Sequence, residues 1–144
     1  MNAAYTLGRI FLSLFFVVAG VQKLMDISGT AKQLAGFNVP IPDQVVTYLA
    51  QVSTIPKYEA LGYLIAGIEV LGGLMVLVGL KARWGALLLT VFTAVIIVFV
   101  HHFWDVSAAA FKTDMIEALK YLSIIGGLLL VVAVGSGPGA MDRR

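Results

Sequence analysis

Glu69 is the residue around which chemistry could be organised in this 144-residue sequence. It stands about ten residues from either end of an apolar run from Tyr58 to Leu80, close to the middle of what would be a buried helix. A charge inside such a run is costly and marks either function or a contact that pairs helices. Alone there, the carboxylate would be held in its protonated form by desolvation. A partner such as Lys23 or Arg9 would keep it ionised, although Lys23 must reach inward by about two helical turns. The functional reading is a proton-accepting or ligand-binding group, and the structural reading is a clamp between the first two spans. His101 and His102 are the only histidines. Being adjacent, they point about 100° apart on a helix and cannot supply both axial ligands of one haem. A metal site with Asp105 or Glu117 stays open, but two neighbouring histidines are no ligand set by spacing alone. His101 is the one expected to point inward; otherwise it is an interfacial histidine bonded to loop groups.

Other chemistry is excluded by absence. The chain has no cysteine, which removes disulfide exchange, thiolate catalysis, iron–sulfur ligation and cysteine-based zinc sites together. No nucleophilic triad, phosphate loop or carboxylate pair of known spacing is present. The composition is 60% hydrophobic and 12% charged, with a mean hydropathy of +0.95. A domain of this size leaves too much area in water for such a composition to be covered by polar groups. The class is therefore an integral membrane protein, which excludes a disordered chain and a soluble enzyme. The net charge of +2 is too small for a nucleic-acid footprint.

The elements that must position these residues are four apolar spans, about 5–25, 58–80, 84–103 and 117–135, in a single domain covering 1–144. Each is about 30 Å long at 1.5 Å per residue, matching the hydrocarbon core. The first is read as a retained helix, since it is long for a signal peptide and no small-residue cleavage site ends it cleanly. Trp84 and Trp104 bracket the third span as interface anchors. The fourth has the least distinct start, where Glu117 and Lys120 interrupt it. In the loop 26–57, Pro40, Pro42 and Pro56 force bends. Val45, Val46, Leu49 and Val52 fall there at helical spacing, opposite Gln44, Thr47 and Gln51. They predict either a short amphipathic helix at the interface or a loop folded over the bundle. Lysine and arginine divide five to five between the two sides. Their density at span ends, and the placement of every arginine, put both termini in the cytoplasm.

Polar and small residues line up along the spans. Arg9, Ser13, Phe16, Gly20 and Lys23 form one stripe, and Gly62, Ala66, Glu69, Gly73 and Val76 another. Arg83, Leu87, Thr90, Ala94, Ile97 and His101 are expected to form a third, and Glu117, Tyr121, Ile124, Leu128 and Val131 a fourth. Faces of this kind meet other helices rather than lipid. The expected fold is an all-α membrane protein, an antiparallel four-helix transmembrane bundle with a polar seam and a short interfacial helix in the first loop. The glycine pairs Gly72–Gly73 and Gly126–Gly127 are read as close-packing sites. Lys23, His101, Glu117, Lys120 and Tyr121 would form a polar mouth above Glu69. That mouth suits a lipid-soluble ligand with carbonyl or hydroxyl groups, such as a quinone, and equally suits plain interhelical salt bridges.

Arg9 with Gly20, Lys23 and Leu24 resembles the opening of the DoxX family of small bacterial membrane proteins. So do Glu69, Gly72, Gly73 and Gly79 with Arg83, and the closing Gly126, Gly127, Leu128, Gly137, Pro138, Gly139 and Asp142. Tyr121 departs from the smaller amide side chain expected in many relatives. The resemblance implies a multi-pass protein of the inner membrane, linked to quinone oxidoreduction. It would be an accessory or quinone-binding subunit with no cofactor of its own, working with a redox-enzyme partner. Arg9, Lys23, Glu69, His101 and Tyr121 are the candidate ligand-binding seam. A small proton-coupled transporter and a scaffold without ligand are the competing readings. Assembly as a homo-oligomer or hetero-complex in membrane lipid is expected, and no nucleic acid.

Overall fold

The chain was described in a computed structural model covering residues 2–37, 42–52 and 54–142. Its helices are α1 (Asn2–Met25), α2 (Ile27–Gly36), α3 (Asp43–Val52), α4 (Lys57–Val78), α5 (Ala82–Phe99) and α6 (Ala108–Val134), with one 3-10 turn at Phe103–Asp105. No strand occurs among the described residues. Four segments are long and apolar enough to cross a membrane: Ala3–Met25, Lys57–Val78, Ala82–Asp105 and Ala108–Val134. The protein is an all-α membrane bundle.

α4 is the central helix, because it carries the smallest residues on two faces. The would-be Cβ of Gly73 lies 2.8 Å from Val17 Cγ2 on α1, and that of Gly72 lies 2.9 Å from Leu89 on α5. Adjacent glycines thus seat different neighbours, as side chains about 100° apart must. The α1–α4 contacts run in opposite directions: Arg9 meets Gly79 just past the end of α4, Val17 meets Gly73, and Gly20 meets Ala66. The two helices are therefore antiparallel. Short links make α4–α5 and α5–α6 antiparallel too, and the ring closes with a lighter contact of α6 on α1. Phe16, Val76, Leu89, Leu128 and Val131 form the buried core between them.

The predicted stripes on α1, α4 and α6 match the buried faces. Arg9, Ser13, Phe16 and Gly20 are buried on α1, as are Gly62, Ala66, Glu69, Gly73 and Val76 on α4 and Leu128 and Val131 on α6. The stripe expected on α5 is wrong. Its buried residues are Ala82, Gly85, Ala86, Leu89 and Thr93, whereas Leu87 and Ala94 are exposed. Both sides of this helix are apolar, so the small residues rather than the polar ends mark the packed face. His101 lies beyond the helix, which ends at Phe99 and not at 103. Gly126 faces open space and is not a packing site, while Gly127 touches Leu12.

Two further corrections concern element ends. α6 starts at Ala108, nine positions before the expected 117, so Glu117 and Lys120 sit within it. The loop 26–57 holds two helices. Asp26 ends α1 and caps α2, its carboxylate accepting from the Gly29 N–H at 2.9 Å. α3 occupies the predicted amphipathic segment and packs on α4 alone among the described elements. Val45 is exposed. Pro40 and the side chains of Val46, Leu49 and Val52 lie outside the described part, as do Arg143 and Arg144.

Candidate functional site

The site begins with a glycine. A Cβ at Gly20 would lie 2.7 Å from Val70 Cγ2 and 2.9 Å from the Ala66 carbonyl oxygen, so only its absence lets α1 approach α4 this closely. One turn later, Lys23 spans the gap. Its Nζ donates to both Glu69 oxygens, at 2.9 Å to Oε1 and 2.8 Å to Oε2. Glu69 is 3% exposed, while the Lys23 side chain keeps 31%. The ammonium comes from near the end of α1, and its stem lies along the bundle toward the carboxylate.

α2 folds back over this pair. Ile27 and Thr30 rest on Gly62 of α4, which has no side chain to hold them away. Thr30 Oγ1 donates to the Asp26 carbonyl at 3.0 Å, which ties its hydroxyl to the start of the helix. On the other side, the His101 ring stacks on Tyr121 at 5.2 Å and 25°. His101 Nδ1 is buried and 3.6 Å from Asp114 Oδ1, beyond hydrogen-bond length.

These groups surround a cavity of about 550 Å³. Lys23, Glu69, His101 and Tyr121 give it a polar end, Thr30 and Gln33 of α2 add to that end, and aliphatic side chains of α4 and α5 form its walls. Leu64 and Val91 in those walls are each 58% exposed, so the long side opens laterally toward hydrocarbon. The size is that of a small-molecule pocket. Chemically, it offers an ammonium donor, an imidazole and a phenol to the head of an amphipathic molecule, with room for an apolar tail.

Four of the five residues singled out from sequence thus meet: Lys23, Glu69, His101 and Tyr121. Arg9 does not. It lies fourteen positions before Lys23, about 21 Å along α1, and is buried at the opposite end. There its guanidinium donates to the Ser136 and Gly139 carbonyls of the C-terminal loop. Tyr5 donates to the Gly135 carbonyl, and Thr6 to that of Pro138 at 3.0 Å. The N-terminal end of α1, the α4–α5 turn and the C-terminal loop therefore share one end of the bundle. Glu117 and Lys120 also fall outside the cavity, paired with each other on the surface of α6.

Asp114 and the α2 residues were missed from sequence. Asp114 precedes the predicted fourth span but lies within α6, and seven residues before Tyr121 it shares that residue's helix face. Among the described residues no group of three or more His, Asp or Glu could hold a metal ion.

The chain is similar to inner membrane protein YphA of Escherichia coli (strain K12), with 28% identity over 138 residues that cover 96% of this chain and 87% of the relative. No solved structure matches it. The DoxX family model matches residues 4–102, from α1 to just past the end of α5 and through every residue of the cavity except Tyr121, and the chain belongs to the DoxX family.

Proposed function

We propose that this protein is an inner-membrane subunit that binds a quinone-like ligand in the α4–α5 cavity and works beside a quinone-linked oxidoreductase. The observation that carries the reading is the cavity itself: apolar walls open to lipid, ending on Lys23, Glu69, His101 and Tyr121. The Lys23 ammonium, held by Glu69, is placed to donate to a ligand carbonyl, and His101 to accept from a ligand hydroxyl. Electrons would pass to a partner protein in a hetero-complex or an assembly of several copies. The inner-membrane location draws on the Escherichia coli relative. Arg9, Lys81 and Arg83 at the end shared by both termini support a cytoplasmic placement of that end. The chain lacks cysteine, so a Ser136→Cys variant is a single reporter for impermeant thiol labelling from either side.

Phe16 lies between Arg9 and Lys23 on α1 and packs with Val76 and Leu128. That apolar plug favours a one-sided pocket over a continuous transport pathway. The test is the quinone content of gently purified protein, read by solvent extraction and mass spectrometry. Stoichiometric quinone is expected in the wild type, with loss in Glu69→Gln and in Val95→Trp, which fills the groove without touching the ion pair. Wild-type protein that holds no quinone after reconstitution with a quinone pool would remove the reading and leave scaffold or transporter.

A further inference from the structure

A second cavity, of about 350 Å³, lies at the far end of the bundle from Glu69, between the start of α5 and the C-terminal loop. Lys81, Arg83, Trp84, Ser136 and Asp142 line it. Arg83 is held in place there. Its guanidinium lies against Gly135, where a Cβ would come 2.9 Å from Nε, and Nη2 donates to the Ala133 carbonyl at 3.3 Å. Of its five N–H donors, that bond uses one. Lys81 has a φ of 48°, the only positive value outside glycine among the described residues. The C-terminal loop holds its backbone there, since the Lys81 N–H donates to Asp142 Oδ2 at 2.6 Å.

Charge makes this cavity distinctive. Lys23 pairs with Glu69 and Lys120 with Glu117. Lys57 sits over the Tyr58 ring, and Arg9 is buried on loop carbonyls. Among the described residues, Lys32, Lys112, Lys81 and Arg83 have no ion pair, but only Lys81 and Arg83 of these four converge on this one open cavity. The single carboxylate there, Asp142, is already engaged through Oδ2 by the Lys81 N–H and by the Ser136 hydroxyl at 3.0 Å. Two cations against one carboxylate leave the lining net positive. The first turn of α5 adds its partial positive charge. Trp84, 68% exposed, sets the level of the cavity. It stands where two spanning helices turn, at the depth of lipid headgroups.

We propose that this cavity binds the phosphodiester of an anionic phospholipid headgroup. Arg83 is the two-pronged donor to the phosphate oxygens, Lys81 the point charge, and the acyl chains run down the outside of α5 beside Trp84. The site is separate from the quinone-like pocket and stands whether or not that pocket is occupied.

The test uses the full chain, delipidated in detergent and titrated with phosphatidylglycerol under native mass spectrometry, with diacylglycerol as the phosphate-free control. Wild-type protein is expected to hold one phosphatidylglycerol in preference to diacylglycerol, and millimolar inorganic phosphate is expected not to displace it. Lys81→Gln should weaken binding about five-fold and Lys81→Gln with Arg83→Gln about thirty-fold. Both side chains reach the surface, so the fold should persist, and an unchanged Tm checks it. The single variant serves if the double one does not fold. Lys32→Gln with Lys112→Gln, exposed cations toward the other end, should bind as the wild type does. Equal retention of phosphatidylglycerol by the Lys81 and Arg83 variants, equal loss in the Lys32 and Lys112 control, or complete displacement by inorganic phosphate would each overturn the proposal.

Discussion

Removing one partner of the Lys23–Glu69 pair should be costlier from the lysine side than from the glutamate side. Both Nζ–O distances are below 3 Å, but the two groups differ in access to water: 31% of the lysine side chain is exposed and 4% of the glutamate's. Lys23→Met strands a buried carboxylate, and breaking a buried pair in this sense costs about 3 kcal/mol or more. Glu69→Gln leaves an ammonium that can swing outward from near the end of α1, or still donate to the amide oxygen, and should cost about 1 kcal/mol. Replacing both, as Lys23→Met with Glu69→Leu, should return stability to within about 1 kcal/mol of wild type, since apolar residues of similar volume often match a buried pair. Equilibrium unfolding in mixed micelles, titrated with dodecyl sulfate and followed by circular dichroism, reads all three. The reasoning fails if Glu69→Gln is as damaging as Lys23→Met, or if the double variant is no more stable than Lys23→Met alone.

Three further outcomes follow from the packing. Gly20→Ala should lose about 1–3 kcal/mol, because its Cβ meets the Ala66 carbonyl, which cannot rotate away; Gly126→Ala, facing open space, should be nearly neutral in the same unfolding assay. Leu89→Ala should cost about 2–5 kcal/mol, against less than about 0.5 kcal/mol for Leu87→Ala, and the reverse order would restore the α5 face expected from sequence. Arg9→Gln should free the C-terminal loop, seen as faster proteolysis between Gly135 and Met141, with little change in any quinone uptake by the cavity, since Arg9 and Lys23 are about 21 Å apart along α1.

Much of this architecture could be read before any coordinates because charge and small residues coincide on α1 and α4. Gly20 and Lys23 share a face, as do Ala66, Glu69 and Gly73, and close packing and ion pairing need that coincidence. α5 carries no such double signal. Its lipid face and its packed face are equally apolar, and the line from Arg83 to His101 rests on one residue in its first turn and one past its end. Ala82, Gly85 and Ala86 held the better clue. The cavity was half legible: Lys23, Glu69, His101 and Tyr121 line one space, as their predicted positions at one end of the bundle imply, but the roof could not be read. Ile27–Gly36 mixes glycine, threonine and lysine and looks like a connection; the Asp26 cap and its seat on Gly62 hold it as a helix. Arg9 was assigned to the right stripe and the wrong partner, because its acceptors are backbone carbonyls, and every residue has one of those.

The clamp on Arg9 also orders events during synthesis. A guanidinium stays charged in any environment a protein offers, and the Ser136 carbonyl that receives this one lies 127 residues downstream. α1 is made well before that segment exists, so until the fourth span is in place its guanidinium must be satisfied by water at the near interface, about two turns from the start of the helix. A chain cut short of Gly135 could still seat its first span on α4 through Gly20, Gly73 and the Lys23–Glu69 pair, but its Arg9 would lack the Ser136 and Gly139 carbonyls.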